Sequence, residues 1–299
     1  MFRHRFGSAL AMNPLAKTMN TLLDLGGPVA FDELVRRNTE ASHPGLLIVN
    51  ADDWGRDRDT TDRISECVLR RTVSSVSAMV FMEDSERAAA LALERGIDAG
   101  LHLNFTAPFS ARQCPPSLAG RQQDLARYLL RQRLAQVVFH PGLMRSFEYV
   151  VRAQVNEFHR LYGANPDRFD GHHHMHLCAN VLLGRLLPSG TIARRSFSFQ
   201  SGEKSFCNCF YRKIVDRRLS RRHYLVDFLF SLPPLEPADR LQRIFSLARE
   251  HAVELETHPI NPEEYRFLVD GEFSRRLGDL PVAAGFGHRW AARSKTWTR

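Results

Sequence analysis

The sequence lacks several features that would place it in a specialised class of protein. No apolar run approaches the roughly 18 residues that a membrane-spanning helix needs, so we expect no transmembrane segment. There is no internal repeat and no low-complexity linker, which favours a single folded domain over a repeat array. The 299 residues, 43% of them hydrophobic and 25% charged, suffice to bury the core of one large domain.

Cysteine is scarce, and its spacing suits neither a zinc site nor a disulfide framework. The five cysteines are odd in number, and none of them forms a CxxC pair. Cys207 and Cys209 lie close together, but no second pair could complete a zinc site. Reduced thiols are the simplest interpretation, and they predict a cytoplasmic protein. The stretch from Ala9 to Leu15 is short and interrupted by Asn13 and Pro14, which makes it a poor signal peptide.

Acidic residues are fewer than basic ones, and the excess lies mainly in runs of arginine. The formal net charge is +8, from 41 Lys and Arg against 33 Asp and Glu. Pairs such as Arg217-Arg218 and Arg221-Arg222 would suit an acidic partner, nucleic acid or an anionic membrane surface. Because these arginines are not interleaved with aromatic residues along one obvious stripe, we expect no nucleic acid partner. The arginine-rich stretch 194–222 is left without an assigned function.

Short apolar runs alternate with amphipathic segments along most of the chain. Leu46-Leu47-Ile48-Val49 is typical of a buried parallel strand, and the segment from Ser85 to Arg95 is typical of a helix that ends at Gly96. The pattern predicts strands near 46–49, 74–82, 100–105, 168–170, 191–199, 224–230 and 253–257. It predicts helices near 60–71, 85–95, 121–136, 145–162, 203–220 and 237–251. Seven strands that alternate with helices indicate an α/β protein with parallel β/α architecture.

The regular pattern divides the chain into a central domain and two flanking segments. Residues 1–44 are interpreted as a partly disordered extension with a short helix at 32–37. Residues 45–284 hold the β/α domain, and residues 285–299 form a basic tail. The long interval between the third and fourth strands, around Pro115-Pro116, predicts an insertion that could cover a site.

Titratable residues follow four of the predicted strands. Asp52 and Asp53 come after the first strand, His102 lies at the end of the third, and His258 follows the last. The stretch DGHHHMH, residues 170–176, follows the fourth strand. Parallel strands end at one edge of the sheet, and catalytic groups gather at that edge in such folds. The convergence of all four groups is therefore more informative than any one of them.

Each of these groups also has an ordinary structural interpretation. Asp52-Asp53 could cap the next helix, and His102 could be a satisfied core histidine between two leucines. His258-Pro259 could be a plain turn at the end of a strand. Two adjacent carboxylates repel each other, however, and are tolerated when one binds a cation and the other has a role in proton transfer.

The histidine stretch favours a functional interpretation over a solvated turn. His172, His174 and His176 alternate, so an extended backbone would point all three to one side. Several histidines on one face are costly unless they share a metal ion or a proton network. A second His-Pro pair, His140-Pro141, lies in the insertion; we prefer His258 because it ends an apolar strand.

The combination of one aspartate and two histidines suits a catalytic metal site. Oxygen and imidazole ligands of this number leave coordination positions open for water or substrate. A spare carboxylate would take a proton from the water, and a histidine would protonate the leaving group, which describes hydrolysis of an amide or ester. An esterase or a phosphohydrolase on the same scaffold is an alternative. A basic, metal-binding nucleic-acid or regulatory protein is the non-enzymatic alternative.

Four motifs give the chain a resemblance to a known family. NADDWG (50–55), GLHLNFT (100–106), DGHHHMH (170–176) and ETHP (256–259) occur in the order and approximate spacing of the YdjC-like carbohydrate deacetylases. That family includes the diacetylchitooligosaccharide deacetylase type and the hopanoid-biosynthesis-associated type. The resemblance extends over about residues 46–275, and four motifs in order make it specific.

The resemblance implies a fold, a reaction and a cofactor. The family has an incomplete parallel β/α barrel of the glycoside hydrolase/deacetylase-like type, related in shape to the polysaccharide deacetylases. It removes acetyl from an N-acetylated sugar or glycoconjugate with one divalent ion, which is expected to be Mg²⁺, with Zn²⁺ as the alternative. A homo-oligomer is compatible with the family. This chain departs from the common pattern at Trp54, where phenylalanine is usual, and at Ile260, where glycine is usual.

The resemblance also implies roles for individual residues. The metal ligands would be Asp53, His102 and His172. The general base would be Asp52, and His258 would protonate the departing amine. Five further residues would contact the substrate or support the ligands, namely Trp54, Asn104, Asp170, His174 and His176.

Overall fold

Seven parallel strands form a single sheet at the centre of the protein. The structure is a computed structural model and describes residues 45–131, 133–199 and 205–286. The strands of this part of the chain are β1 (Leu46–Trp54), β2 (Ser75–Ala78), β3 (Asp98–Leu103), β4 (Arg168–Gly171), β5 (Ile192–Ala193), β6 (Phe228–Ser231) and β7 (Ala252–Thr257).

The sheet curls into a half-barrel. Its strand order is β5-β4-β3-β2-β1-β7-β6, and all neighbouring strands pair in parallel. The two edge strands approach each other on the open side, where Ile192 of β5 forms an isolated parallel bridge with Tyr224, a few residues before β6. The expected α/β class and the incomplete parallel barrel are therefore confirmed.

Helices follow most of the strands and cover the outer face of the sheet. They are α1 (Arg58–Leu69), α2 (Ser85–Arg95), α3 (Pro116–Arg131), α4 (Met144–Tyr162), α5 (Ala179–Gly184), α6 (Phe206–Leu219), α7 (Ala238–Ala248), α8 (Pro262–Val269) and α9 (Glu272–Leu277). Short 3₁₀ helices occupy Arg133–Gln136, Pro141–Leu143 and His172–Leu177. Within the described ranges, we find no helix that combines the length and the apolar character needed to cross a bilayer.

β1 shows why a continuous apolar run becomes a buried strand. Leu47 and Val49 pack into the large core between the sheet and the helices. Ile48 faces the other way, into a smaller cluster on the inner face of the half-barrel that includes Ile192 and Phe286. Because both faces of the strand are covered, the usual alternation of apolar and polar residues is replaced by an apolar run.

The structure corrects the extent of several predicted strands: those predicted at 74–82 and 224–230 are Ser75–Ala78 and Phe228–Ser231, and two further changes affect the site. β1 continues to Trp54, so Asp52 and Asp53 belong to its last residues instead of following it. The strand predicted at 191–199 is reduced to Ile192–Ala193. The chain beyond it stays extended and bonds β6 through the backbone of Ser198. A strand this short at the edge of a curled sheet has few neighbours with which to pair.

The histidine stretch is also not an extended strand. His172–Leu177 forms a 3₁₀ helix in which His173 and His174 have left-handed φ angles of 54° and 56°. The expectation that His172, His174 and His176 share one face was therefore wrong, because it assumed a strand-like alternation. The predicted helix at 32–37 lies outside the described residues.

Candidate active site

A bulge at the end of β1 brings two adjacent carboxylates to the same side. In a regular strand Asp52 and Asp53 would face opposite sides of the sheet. The pairing of β1 with β2 shifts register between Ala51 and Trp54, and Asp53 has a left-handed φ of 68°. Carboxylate oxygens of Asp52 and Asp53 consequently lie 3.9 Å and 3.4 Å from the same atom, Nε2 of His102.

Three of these side chains form a group that could hold a metal ion. One ligand atom from each of Asp53, His102 and His172 lies within 4.8 Å of the others, and all three residues are buried. Asp52 belongs to two further groups of this kind, one with Glu256 and His258 and one with His102 and Asp170, but Arg194 binds both of its oxygens. Asp53 Oδ1 is 3.0 Å from Nδ1 of His172. His102 Nε2 is buried without a hydrogen-bond partner, although it faces the two carboxylates. A buried nitrogen with no partner is costly, and coordination of a divalent cation would satisfy it. The donor set therefore fits a divalent ion.

Asp170 supports His102 from behind. Its Oδ1 accepts a hydrogen bond from His102 Nδ1 at 2.7 Å, which leaves Nε2 as the ring nitrogen that faces Asp53. Oδ2 of Asp170 accepts further bonds from Ser77 at 2.5 Å and from Arg168 at 3.1 Å. A histidine that ligates a metal usually has such a carboxylate partner on its other nitrogen, which fixes the ring orientation.

The charge around His102 makes metal binding depend on pH. Burial opposes protonation of His102, but the charge of Asp52, the hydrogen bond with Asp170 and the nearby carboxylate of Asp53 outweigh it and raise the pKa to about 10. The metal-free site thus holds a proton at neutral pH, and an incoming divalent cation must displace it.

We expect affinity for Zn²⁺ or Mn²⁺ to rise about tenfold per pH unit between roughly pH 6 and 9. Calorimetric titration in buffers of different ionisation enthalpy would measure the released proton; no release and no pH dependence would contradict the prediction.

Arg194 holds Asp52 from the opposite side. Its two terminal nitrogens donate to the two oxygens of Asp52 at 2.6 Å and 2.7 Å, a bidentate pair that is almost completely buried. Asn50 donates a third bond to Asp52 Oδ1 at 2.9 Å. Burial alone would raise the pKa of Asp52, but Arg194 and His102 more than offset it, so the pKa is lowered. Asp52 is therefore an ionised carboxylate with a fixed orientation.

Arg194 also binds two buried glutamates of β7. Its Nε donates to Glu254 at 2.7 Å, and one terminal nitrogen donates to Glu256 at 3.0 Å. Sequence reasoning did not assign any of these three residues to the site. The sequence AVELET (252–257) could have indicated the two glutamates, because two charged residues interrupt a strand whose other side chains are apolar or small. Charged residues in a buried strand require partners, and the arginine-rich stretch 194–222 supplied one.

His258 and His174 lie where the site opens to solvent. The side chain of His258 is 33% exposed, and its Nε2 is 3.9 Å from Asp52 Oδ2. The side chain of His174 is 27% exposed, and its Nε2 is 3.2 Å from Glu256 Oε2. The exposed fraction separates this pair from the buried ligand group. Both histidines are accessible to a bound substrate.

The remaining predicted site residues support the site from within the protein. His176 is fully buried; burial lowers its pKa to about 3, and its Nε2 donates to the backbone oxygen of Arg194 at 2.9 Å. Asn104 accepts from the amides of Thr106 and Ala107 and so shapes the loop after β3. The neutral His176 thus positions the chain that carries Arg194.

Trp54 and the alternative histidine His140 both lie outside the site. The expected contact of Trp54 with the substrate is absent, because its ring is completely buried in the core and Nε1 donates to Ala88 O at 3.2 Å. His140, the other His-Pro candidate, bonds through its backbone to Asn180 and packs against Tyr128. The structure brings His258, and not His140, next to Asp52.

Fold and site together define the class of protein. It is a parallel β/α half-barrel, and at the carboxyl ends of its strands an Asp-His-His group that could bind a metal ion lies next to an ionised aspartate. Residues 46–277 match the family described as YdjC-like protein. Since this match spans well over half of the chain, the protein belongs to the YdjC-like family.

Similar proteins with curated descriptions are deacetylases. The chain is 36% identical over 137 residues to the chitooligosaccharide deacetylase of Proteus mirabilis, covering 46% of this chain and 52% of that protein. It is 34% identical over 139 residues to the Serratia marcescens enzyme of the same name, covering 44% and 51%. It is 31% identical over 148 residues to the carbohydrate deacetylase of Mus musculus, covering 45% and 44%. The chain thus spans about half the length of the curated relatives it matches.

A solved structure shares the fold. The crystal structure of a protein from Enterococcus faecalis, described as a putative cellobiose-phosphate cleavage protein, superposes with a TM-score of 0.59 at 18% sequence identity. The superposition covers 81% of this chain and 97% of the other. At this identity the likeness concerns the fold alone.

Proposed function

We propose that the protein is a metal-dependent hydrolase that removes an acetyl group from an N-acetylated carbohydrate and releases acetate. The observation that carries this proposal is the pairing of the ligand group Asp53, His102 and His172 with a separate, ionised Asp52. A carboxylate that is not needed as a ligand is free to act as a base. The deacetylase names of the relatives support the same reaction class.

Asp53, His102 and His172 would hold one divalent ion, which supplies Lewis-acid stabilisation of negative charge on the acetyl oxygen. Asp52 would accept the proton from the attacking water. Arg194 fixes both oxygens of this carboxylate, so the base needs little reorganisation when the substrate binds. The lowered pKa of Asp52 keeps the carboxylate ionised at neutral pH, so it is in its basic form when the substrate binds.

His258 would donate a proton to the sugar nitrogen as the amide bond breaks. Its Nε2 lies 3.9 Å from Asp52 Oδ2, so the proposed acid and base flank the same small volume at the mouth of the site. His174, fixed by Glu256, would contact the sugar. Asp170 and His176 would act through His102 and Arg194 and would not touch the substrate.

The identity of the ion is part of the proposal. Mg²⁺ is the ion that the family resemblance implies, whereas a site with two imidazole nitrogens and one carboxylate also suits Zn²⁺ on grounds of ligand preference. Metal analysis of protein purified without chelator separates the two.

We also propose a cytoplasmic location, because all five cysteines are free thiols and two of them, Cys67 and Cys178, are buried.

The proposed activity is tested by an acetate-release screen over N-acetylglucosamine oligomers, acetylated glycolipids and nucleotide sugars, with and without chelator. We expect acetate from at least one N-acetylated carbohydrate, loss of that activity with chelator and recovery on addition of a divalent ion. Release of acid from simple esters, or of phosphate from sugar phosphates, with no acetate from any amide, would favour the esterase or phosphohydrolase alternative instead.

A further inference from the structure

The outer face of α6 carries large apolar side chains that the domain core does not cover. Phe206, Phe210 and Ile214 are 67%, 55% and 52% exposed. They are spaced four residues apart, so they form one stripe along the helix. The opposite side of α6, with Val215 and Leu219, packs into the core. Three large apolar residues on one exposed helix face are typical of an interaction surface.

Basic residues share this face of α6. Lys213 and Arg217 are exposed and project from the helix between the positions of the apolar stripe. The helix has a single acidic residue, Asp216, which is turned aside and bound to Arg195 at 2.8 Å. The exposed face of α6 thus combines apolar and basic side chains, an arrangement that the sequence interpretation of the arginine runs did not recognise.

An open, basic cavity lies between α5 and the C-terminal end of α6. Its volume is about 350 Å³. Four arginines line it, together with His223 and an apolar floor of leucine and valine; they are Arg185, Arg218, Arg221 and Arg222. None of the lining residues is acidic. With the residues that the structure describes, these four arginines form no ion pair, so their charges are available to an anionic group.

The cavity lies away from the candidate active site. α5 and α6 lead into the amino-terminal ends of β5 and β6, and Arg222 O accepts a bond from Gly190 N just before β5 begins. Asp52, Asp53 and the histidines lie at the carboxyl ends of the strands. A ligand of the cavity therefore occupies the opposite edge of the sheet.

We propose that the outer face of α6 and the arginine-lined cavity together form a docking surface for an anionic lipid membrane. The apolar stripe would enter the boundary between headgroups and acyl chains, with Lys213 and Arg217 reaching up to the phosphates. The arginines of the cavity would bind lipid phosphate groups, for which guanidinium is well suited. A helix that lies in the interface is consistent with the absence of a spanning helix in the described ranges.

Charge favours this occupant over a second copy of the chain. Two α6 faces in contact would bring Lys213 and Arg217 of one copy against the same cations of the other. The face offers no acidic residue to compensate them, since Asp216 is engaged with Arg195. A bilayer that contains phosphatidylglycerol supplies both the apolar layer and the negative charge.

Vesicle sedimentation with the full chain tests the proposal. The probes are vesicles of phosphatidylcholine alone and of phosphatidylcholine mixed with an equal amount of phosphatidylglycerol. We expect the protein to sediment with the mixed vesicles only, and binding to weaken as salt is added. The variant F206S/F210S/I214S and the variant R217Q/R221Q should each bind at least about tenfold more weakly.

Matched controls separate a specific surface from general charge or hydrophobicity. L69S/L93S removes equally exposed apolar residues from α1 and α2, and R266Q/R275Q removes two exposed arginines from α8 and α9. Both should bind vesicles like the wild type, and circular dichroism should show all variants folded. Because the assay needs no substrate, its outcome is independent of the deacetylase proposal.

Three results would overturn the proposal. The protein could stay in the supernatant with both vesicle types, or the α6 variants could bind as well as the wild type. Alternatively, the wild type could form dimers that F206S/F210S/I214S abolishes while vesicle binding is absent, which would make the face a self-association surface. Salt-dependent binding to duplex RNA that both α6 variants lose, without vesicle binding, would assign the surface to nucleic acid.

Discussion

Replacing Asp52 by asparagine should lower the rate of acetate release by about 10²–10⁴-fold, the usual cost of removing a general base. The metal content should stay the same, because the proposed ligands are Asp53, His102 and His172, whereas Arg194 binds both oxygens of Asp52. Asparagine retains the size of the side chain and can accept one bond from Arg194, so the local structure is preserved. Rate and metal content would be measured on the same preparations.

Variants of the proposed metal ligands show whether the loss of activity in D52N arises from the missing base or from loss of the metal. Asp53→Ala and His102→Ala should lose both the metal and the activity, which separates a ligand from a base. Glu254→Gln serves as a control, because Glu254 also binds Arg194 but is not assigned as the base and does not contact His174. A D52N protein that turns over near the wild-type rate on a confirmed substrate would show that the base is a different group.

Replacing Arg194 by methionine should have the largest effect on stability. Arg194 is buried and pairs with Asp52, Asp170, Glu254 and Glu256 at 2.6–3.3 Å. Its removal leaves several buried carboxylates without a counter-charge, and breaking a buried pair in this way costs about 3–5 kcal/mol. For a domain of this size the melting temperature should fall by on the order of 10 °C.

The stability that R194M loses relative to the wild type should depend on pH. In the wild type, burial alone would raise the pKa values of Asp52 and Asp170. The positive charge of Arg194 and the contact with His102 outweigh burial, so both pKa values are lowered. Such carboxylates stabilise the fold above their unfolded pKa, near 4, and this stabilisation is lost as pH falls. Without Arg194 their ionised forms become costly, so the difference between R194M and wild type should be largest near pH 7 and smaller near pH 4.

A surface ion pair provides the control for R194M. Arg243 pairs with Asp239 on α7, and both side chains are about half exposed. Exposed pairs of this type contribute about 0–1 kcal/mol, so Arg243→Met should shift the melting temperature by only a few degrees. If R194M were as stable as R243M at pH 7, the buried carboxylates would have to be neutral in the folded protein.

Much of the fold was predictable from local sequence patterns. Leu46-Leu47-Ile48-Val49 identified a buried strand because apolar residues on both faces are covered only in a parallel sheet with helices around it. The helix Ser85–Arg95 was predicted with its observed bounds, since Gly96 marks its end with a left-handed φ of 62°. The gathering of Asp52, Asp53, His102, His172 and His258 followed from the rule that parallel strands end at one edge.

The parts that were missed depend on contacts between distant segments. The bulge that turns Asp52 and Asp53 to one side arises from the pairing of β1 with β2, which no local pattern specifies. Arg194 lies 142 residues from Asp52 in sequence, so its partnership is invisible without the folded sheet. The histidine stretch was misjudged because periodicity describes regular backbone, whereas His173 and His174 adopt left-handed conformations.

The central claim, that one divalent ion held by Asp53, His102 and His172 supports acetate release, is tested most directly by metal add-back. Protein stripped with chelator would receive increasing equivalents of Zn²⁺, Mn²⁺ or Mg²⁺ while bound metal and acetate release are measured together. The account predicts no acetate from stripped protein and a rate that saturates at one bound ion per chain. Full activity of the stripped protein, or a rate that rises in H102A as it does in the wild type, would contradict it.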